Sequence, residues 1–245
     1  MTAVIAAAGS GERLGAGGPK AFVPVGGRPM VEWSIEAMRA APSVRSIVVA
    51  CPPGVRPAPE RSSSRIGGQS AFGREGREGL IEVDGGATRA ESVANALEAV
   101  ETELVAIHDA ARPLVTSELI EAVVAALAGD PKADGAIAAT PVTDTIKQVE
   151  PSSAPGPADS ALVVESTVDR DRLWAAQTPQ VFRADALRRA LAAGDGRDSA
   201  TDEAMLIEAA GGRVLIYPSP PENLKVTRPH DLRVAELLLA ERRAS

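Results

Sequence analysis

The residues best suited to chemistry stand at the start of the chain. Ala3-Val-Ile-Ala-Ala-Ala-Gly-Ser-Gly-Glu-Arg-Leu-Gly-Ala-Gly-Gly-Pro-Lys20 runs from an apolar stretch into a glycine-rich loop carrying two cations, Arg13 and Lys20. Glycines let backbone N–H groups approach a polyphosphate closely, and the cations add more positive charge than amides alone supply. The letters exclude the two familiar phosphate loops. A Walker A loop needs G-x-x-x-x-G-K-[ST], but Lys20 stands between Pro19 and Ala21. A dinucleotide fingerprint needs G-x-G-x-x-G, whereas Gly9, Gly11 and Gly15 are spaced G-x-G-x-x-x-G, and the acidic residues downstream, Glu32 and Glu36, fall in a predicted helix rather than at a strand end. A turn that merely packs a strand on a helix accounts for Gly9 and Gly11. It does not account for a cation on each side of the Gly15 to Gly18 segment.

Three further groups of residues carry chemistry. In Asp84-Gly-Gly-Ala-Thr-Arg-Ala-Glu-Ser-Val93 a Gly-Gly turn joins a strand to a helix. Its backbone, with Gly86, and the Ser92 hydroxyl can read the edge of a small base, and the same letters also read as an ordinary turn capped by Thr88. In His108-Asp-Ala-Ala-Arg-Pro113, Asp109 ends an apolar strand, where a hard carboxylate oxygen suits magnesium or a ribose. Arg112 can hold a phosphate or pair with Asp109, and His108 reads as a packing or hydrogen-bonding residue rather than a base. The third group places cations and hydroxyls in C-terminal loops: Asp169-Arg170, Thr178-Pro-Gln180, Thr201-Asp-Glu203 and Glu222-Asn-Leu-Lys-Val-Thr-Arg228. Such groups fit a small phosphorylated polyol. Thr201 has a competing role as a helix cap.

These loops need a frame, and the chain supplies alternating strands and helices. Strands are predicted at 2–7, 46–51, 80–83, 104–108 and 135–139, and helices at 30–40, 88–100 and 116–128. That alternation predicts an α/β fold, a mostly parallel sheet flanked by helices with ligands at the carboxyl ends of its strands. Two segments interrupt it. Residues 52–79, rich in Pro, Arg, Gly and Ser, read as a solvated surface excursion, because the arginines lack interleaved aromatics and are mixed with Glu60, Glu75 and Glu78. Residues 144–169 read as a projecting hairpin with a Pro-rich tip at 151–160, whose apolar edge makes it a dimerisation arm.

Composition narrows the classes. The 245 residues, 44% hydrophobic and 24% charged, describe an ordinary globular chain, expected to form one domain. A net charge of 26 − 33 = −7 argues against nucleic acid and anionic membranes as partners. One cysteine, Cys51, allows no internal disulfide and reads as a small core residue, and two histidines with one cysteine leave a zinc site unsupported. The first strand begins within two residues of the N-terminus and no apolar run is long enough to span a bilayer, so a cytoplasmic protein is expected.

Taken in order, Ala-Ala-Gly-Ser-Gly-x-Arg-Leu…Pro-Lys, Asp-Gly-Gly-x-x-Arg-x-x-Ser-Val, His-Asp-Ala-Ala-Arg-Pro, Pro-Val-x-Asp-Thr-Ile-Lys, Leu-Trp-x-x-Gln-Thr-Pro-Gln, Thr-Asp-Glu and Asn-Leu-Lys-Val-Thr closely resemble the 2-C-methyl-D-erythritol 4-phosphate cytidylyltransferases, from about Ala3 to the C-terminal helix. The resemblance implies a Rossmann-like nucleotidyltransferase core, an arm exchanged between two subunits of a homodimer, and transfer of a cytidylyl group from CTP to the polyol phosphate with Mg2+. It implies Arg13 and Lys20 as cations stabilising the transition state. Arg170 and Lys225 would position the acceptor phosphate, with Thr145, Thr178 and Thr201 lining its pocket. Ala7, Ala8, Gly9, Gly11, Gly86 and Ser92 would fall in the nucleotide-binding segments. Asp109 and Arg112 would lie beside ribose, metal and acceptor, with Asp109 the metal ligand. The sequence ends after one such unit, so no fusion to the later cyclodiphosphate synthase is expected. A ribitol 5-phosphate cytidylyltransferase shares the motif layout and is the nearest alternative; an inactive nucleotide-binding regulator is the alternative from another class.

Overall fold

The computed structural model describes residues 1–9, 11, 14, 18–55, 80–150, 161–193 and 200–244. Arg13, Gly15, nearly all of the 52–79 excursion and the 151–160 tip therefore lie outside the described residues.

The apolar runs form a seven-stranded sheet. Its first half is built from β1 (Thr2–Ala6), then β4 (Ser46–Cys51) and β5 (Leu80–Asp84) to one side, and β6 (Leu104–Asp109) to the other. Beyond β6 come β10 (Trp174–Arg183), β7 (Gly135–Pro141) and β11 (Val214–Pro218), in the order β11-β7-β10-β6-β1-β4-β5. All neighbours are parallel except β10, which runs antiparallel to both β6 and β7. Among the strands outside this order, the short β2 (Pro24–Val25) and β3 (Arg28–Pro29) pair as a small hairpin of their own.

Helices cover both faces because the parallel strands are apolar on both. Val4, Val48 and Val105 point to the layer made by α2 (Arg89–Leu97), α4 (Ala184–Ala193) and α5 (Glu203–Ala209), together with the fully buried Phe182. Ala3, Ile5, Ile47 and Val49 point the other way, to α1 (Met30–Ala40) and the start of α3 (Ser117–Gly129). This alternation is the period of two expected of extended chain, and burial on both faces is the reason the runs lack polar interruptions. The last helix, α6 (Pro229–Ala244), closes a separate cluster of Leu14, Val25, Met30, Leu114 and Val226 with Ala235 and Leu239. Trp33 anchors this corner: its indole N–H donates to the Val25 carbonyl at 3.0 Å, with Arg28 and Arg243 within 4.7 Å of its ring.

The predicted helix at 30–40 and strand at 46–51 are found over those residues. Helix α2 is shorter than the expected 88–100, because after Leu97 the chain tightens into i→i+3 bonds, Ala99 N–H to Ala96 O and Val100 N–H to Leu97 O. Thr88 lies just outside as its cap. The described ends of the predicted arm form an antiparallel pair, β8 (Ile146–Val149) with β9 (Val164–Val168). Leu162 and Val163 just before β9, and Val164 at its start, are all more than half exposed. Among the described residues no helix is long and apolar enough to cross a membrane.

Candidate active site

The chain leaves β1, builds β4 and β5 on one side, and returns to build β6 on the other, so a crevice opens at the carboxyl ends of β1 and β6 where the strand order reverses. Ala6 pairs in register with Asp109, which places the glycine-rich loop and the Asp109 block side by side. A cavity of about 640 Å³ lies there, of a size usual for a small-molecule ligand. Its wall brings together Ala7, Ala8, Gly9, Gly11 and Lys20 from the first loop, Gly86, Arg89 and Ser92 from the second, and Asp109, Lys225 and Thr227 from the rest of the chain.

Each of these is held by local structure. Gly11 has φ +77°, and a Cβ there would meet the Lys20 backbone at 3.0 Å, so only glycine lets the loop fold back against Lys20. The Lys20 amide closes that fold on the Gly9 carbonyl at 3.1 Å, where the 3-10 turn Lys20–Phe22 begins. At the second loop, Gly85 donates its N–H to the Cys51 carbonyl at 2.7 Å, and a Cβ there would fall 2.5 Å from the Ala8 methyl. The two loops therefore touch through a position with room for hydrogen alone. Thr88 caps α2 in a full capping box with Glu91. The Ser92 hydroxyl donates to the Thr88 carbonyl and accepts from the Gly86 N–H at 3.1 Å. The capped turn and the cavity wall, alternative readings from sequence, are thus one object: Ser92 shapes the turn that forms the wall.

Asp109 is the centre of the charge arrangement. Its Oδ1 accepts from Arg89 Nε at 3.0 Å and its Oδ2 from Lys225 Nζ at 2.6 Å, while Arg89 Nη1 reaches Glu203 Oε1 at 2.6 Å. Burial pushes the Asp109 carboxyl upward, but Arg89 and then Lys225 more than offset it and hold it below the usual carboxylate range. Burial likewise raises Glu203, and Arg89 only partly offsets that. Lys225 is brought to Asp109 by its neighbours. The Val226 N–H bonds the Ala111 carbonyl at 2.8 Å, and Asn223 Nδ2 donates to the Thr178 carbonyl at 2.9 Å and Gln177 Oε1 at 2.8 Å. The register of β10 against β7 jumps between Ala176 and Gln180, which turns Gln177 and Thr178 out of the ladder toward these partners.

His108 is fully buried behind Asp109. The Thr178 hydroxyl accepts from the Asp109 N–H at 3.1 Å, so its single proton goes to His108 Nδ1 at 3.0 Å, and the Nε2–H is left to donate to the Arg112 carbonyl at 3.3 Å. Burial, only partly opposed by Asp109, lowers the imidazole from its ordinary 6.5 to about 4. It is a hydrogen-bonding residue, as its sequence context implied, and burial keeps it neutral. Between pH 6.5 and 4 the unfolded chain binds a proton here that the folded chain does not, so stability falls as pH falls through that window. The loss attributable to His108 reaches about 3 kcal/mol by the lower end. Urea unfolding of wild type and His108→Gln from pH 7 to 4 checks this: the stability of wild type relative to the variant should drop across the window. A constant difference would remove the buried neutral imidazole as the cause.

Of the other expected site residues, Arg112 and Thr178 do not border the cavity. Arg112 does not pair with Asp109; its guanidinium donates to the Asn223 carbonyl at 2.7 Å, and it supports the Lys225 segment from behind. Thr145 and Arg170 are exposed around the arm, Arg170 donating to the Thr143 carbonyl. Thr201 is also exposed and is not the cap of α5, since Asp202 takes that place by accepting from the Met205 N–H at 3.1 Å. Three participants were not singled out from sequence: Arg89, Glu203 and Asn223. All stand inside the quoted motif blocks, next to residues chosen for more obvious chemistry.

The sequence profile of the 2-C-methyl-D-erythritol 4-phosphate cytidylyltransferase family matches residues 1–241. The chain belongs to that family. A cytidylyltransferase of that name from Streptomyces coelicolor is 43% identical over 98% of this chain and 85% of its own length. One from Symbiobacterium thermophilum is 41% identical over 98% and 93%. The crystal structure of the Thermus thermophilus cytidylyltransferase superposes with a TM-score of 0.73, at 33% identity and covering 97% of this chain and 98% of that one. The seven-stranded sheet with flanking helices is thus the α/β nucleotidyltransferase fold of the cytidylyltransferases.

Proposed function

We propose that this chain transfers the cytidylyl group of CTP to 2-C-methyl-D-erythritol 4-phosphate, giving 4-diphosphocytidyl-2-C-methyl-D-erythritol and pyrophosphate on the non-mevalonate route to isoprenoid precursors. The observation that carries this reading is the cavity in which the glycine-rich loop with Lys20, the Gly86 to Ser92 turn, Asp109 and Lys225 meet. These are four of the family's motif blocks, distant in sequence, on one crevice. The acceptor's phosphate oxygen attacks the α-phosphorus of CTP in line and pyrophosphate departs from the opposite side. A phosphate monoester has a second pKa near about 6 and is already largely dianionic at neutral pH, so the attack requires no general base. His108, buried and neutral, is consistent with that. The chemistry instead demands charge compensation, for which Lys20 and Arg13 serve the triphosphate and Lys225 with Arg170 the acceptor.

Magnesium is part of the proposal. Among the described residues Asp109 is the only carboxylate on the cavity wall, it stays ionised, and no cluster of three or more acidic, histidine or cysteine side chains forms a metal cage. That suits Mg2+, which is commonly held by one or two carboxylates together with substrate phosphates. Asp109 would hold it, and it would supply positive charge to the phosphates. The proposal extends to a homodimer joined through the 144–169 arm, supported by the exposed Leu162, Val163 and Val164, and to a cytoplasmic location, where CTP is available. A sedimentation measurement showing only monomer at micromolar concentration would refute the dimer.

Pyrophosphate release tests the reaction, run with each of the four nucleotides, with methylerythritol phosphate and ribitol phosphate, and with and without a chelator. Release only with CTP, methylerythritol phosphate and Mg2+ is expected. Preference for ribitol phosphate would move the assignment to that cytidylyltransferase, and no release with any pair would leave a nucleotide-binding regulator.

A further inference from the structure

Glu203 does not border the cavity, yet it is bound into its charge arrangement. It is the first residue of α5 and 1% exposed. From it the charges alternate: Glu203 to Arg89 at 2.6 Å, Arg89 to Asp109 at 3.0 Å, Asp109 to Lys225 at 2.6 Å. Only the last three side chains reach the wall. Burying a carboxylate costs several kcal/mol even when it is paired, and a well-packed apolar residue is often at least as stabilising. Glu203 Oε2 moreover has no hydrogen-bond partner among the described residues. Helix α5 does not require it, since Asp202 supplies the cap and Gln180 Nε2 secures Asp202 at 2.9 Å. What the buried charge does is act on Arg89.

We infer that Glu203 is a positioning residue for the acceptor site. By holding Arg89 through Nη1 it aims Nε at Asp109 Oδ1, which leaves Oδ2 to orient Lys225. A planar guanidinium with donors in a fixed fork can join two carboxylates in this way, where an ammonium cannot present the same geometry. Its charge also balances that of Arg89, so the pairing of Asp109 with Lys225 is not drained toward an uncompensated buried cation. This role presupposes the acceptor site assigned above to Lys225 with Arg170, Lys225 being the member that Asp109 orients.

Four proteins decide it: wild type, Glu203→Gln, Lys225→Met and the double variant. Glutamine keeps the size of Glu203 but removes its charge and replaces the charge-assisted bond from Arg89 with a weaker one to a neutral amide oxygen, so the hold on Arg89 is loosened with the least change in packing. Glu203→Gln is expected to lower kcat/KM for the acceptor phosphate about tenfold or more, with the CTP KM changed less than about threefold. Added to Lys225→Met it should cost little further, because the pair that it orients is already broken. Thermal midpoints of the four proteins without substrate should show the same non-additivity. Wild-type acceptor kinetics in Glu203→Gln, whatever its midpoint, would overturn the positioning role, and so would additive effects. If wild type itself releases no pyrophosphate from CTP and methylerythritol phosphate, the assigned reaction fails on its own, and the midpoints decide the coupling: additive midpoints remove it.

Discussion

Lys20→Ala is expected to lower kcat by about 100-fold or more while changing the CTP KM less. The reason is the distribution of work at this site. Among the described residues no histidine lies on the cavity wall, and the one near it is buried behind Asp109 with both ring nitrogens engaged. The proposed reaction needs no proton taken from the acceptor, whose phosphate is already largely dianionic at neutral pH. Two anions must approach, and charge builds on the transferring and leaving phosphates, so a cation fixed before the reaction begins lowers the barrier most. Lys20 is fixed in that sense: its amide is bonded to Gly9, its backbone is packed against Gly11, and the residue lines the cavity. Steady-state kinetics with CTP and methylerythritol phosphate check the prediction. A variant with near-wild-type kcat would remove Lys20 from the mechanism.

Lys225→Ala should give the complementary result, a loss of about 100-fold or more in kcat/KM for the acceptor with the CTP KM little altered. Lys225 is the exposed cation at the end of the charge chain, 2.6 Å from Asp109 and held by a segment tied to Ala111 and Thr178. Removing it takes away a countercharge for the acceptor phosphate and leaves Asp109 to Arg89 alone. Arg170→Ala is expected to act in the same direction. It stands at the base of the arm rather than on the cavity wall of its own chain, so its loss should leave nucleotide kinetics untouched. Unchanged acceptor kinetics in both variants would sink the assignment of these cations to the acceptor.

Much of the frame was readable before any coordinates. Strands such as Ser46–Cys51 are apolar on both faces because both faces are covered, and helix Met30–Ala40 ends where Ala41, Pro42 and Ser43 stop the pattern. The second half was harder to read for an identifiable reason. Strand β10 contains Gln-Thr-Pro-Gln, which reads as a loop, and it is a strand only because its two flanks pair with β7 on either side of a register jump. At α5 the sequence offers Thr201 a competing role as the helix cap, and Thr201 and Asp202 are both good caps. Packing of Gln180 against Asp202 selects the second.

Residue types and their order along the chain were enough to mark the family: a glycine loop with cations, a Gly-Gly turn before a helix, an acid at a strand end and cations in the C-terminal loops, in one order. These are local properties, set by spacing and by the short-range geometry of glycine, caps and apolar runs. Which charges meet emerged with the folded chain alone. Arg89 joins Asp109, 20 positions away, to Glu203, 114 positions away, and Lys225 comes from 116 positions beyond Asp109. Folding likewise set the Arg112 guanidinium against the Asn223 carbonyl and buried His108 deeply enough to hold its imidazole neutral. Charge pairing depends on distance and burial, and both are fixed by the order of strands in the sheet rather than by order along the chain.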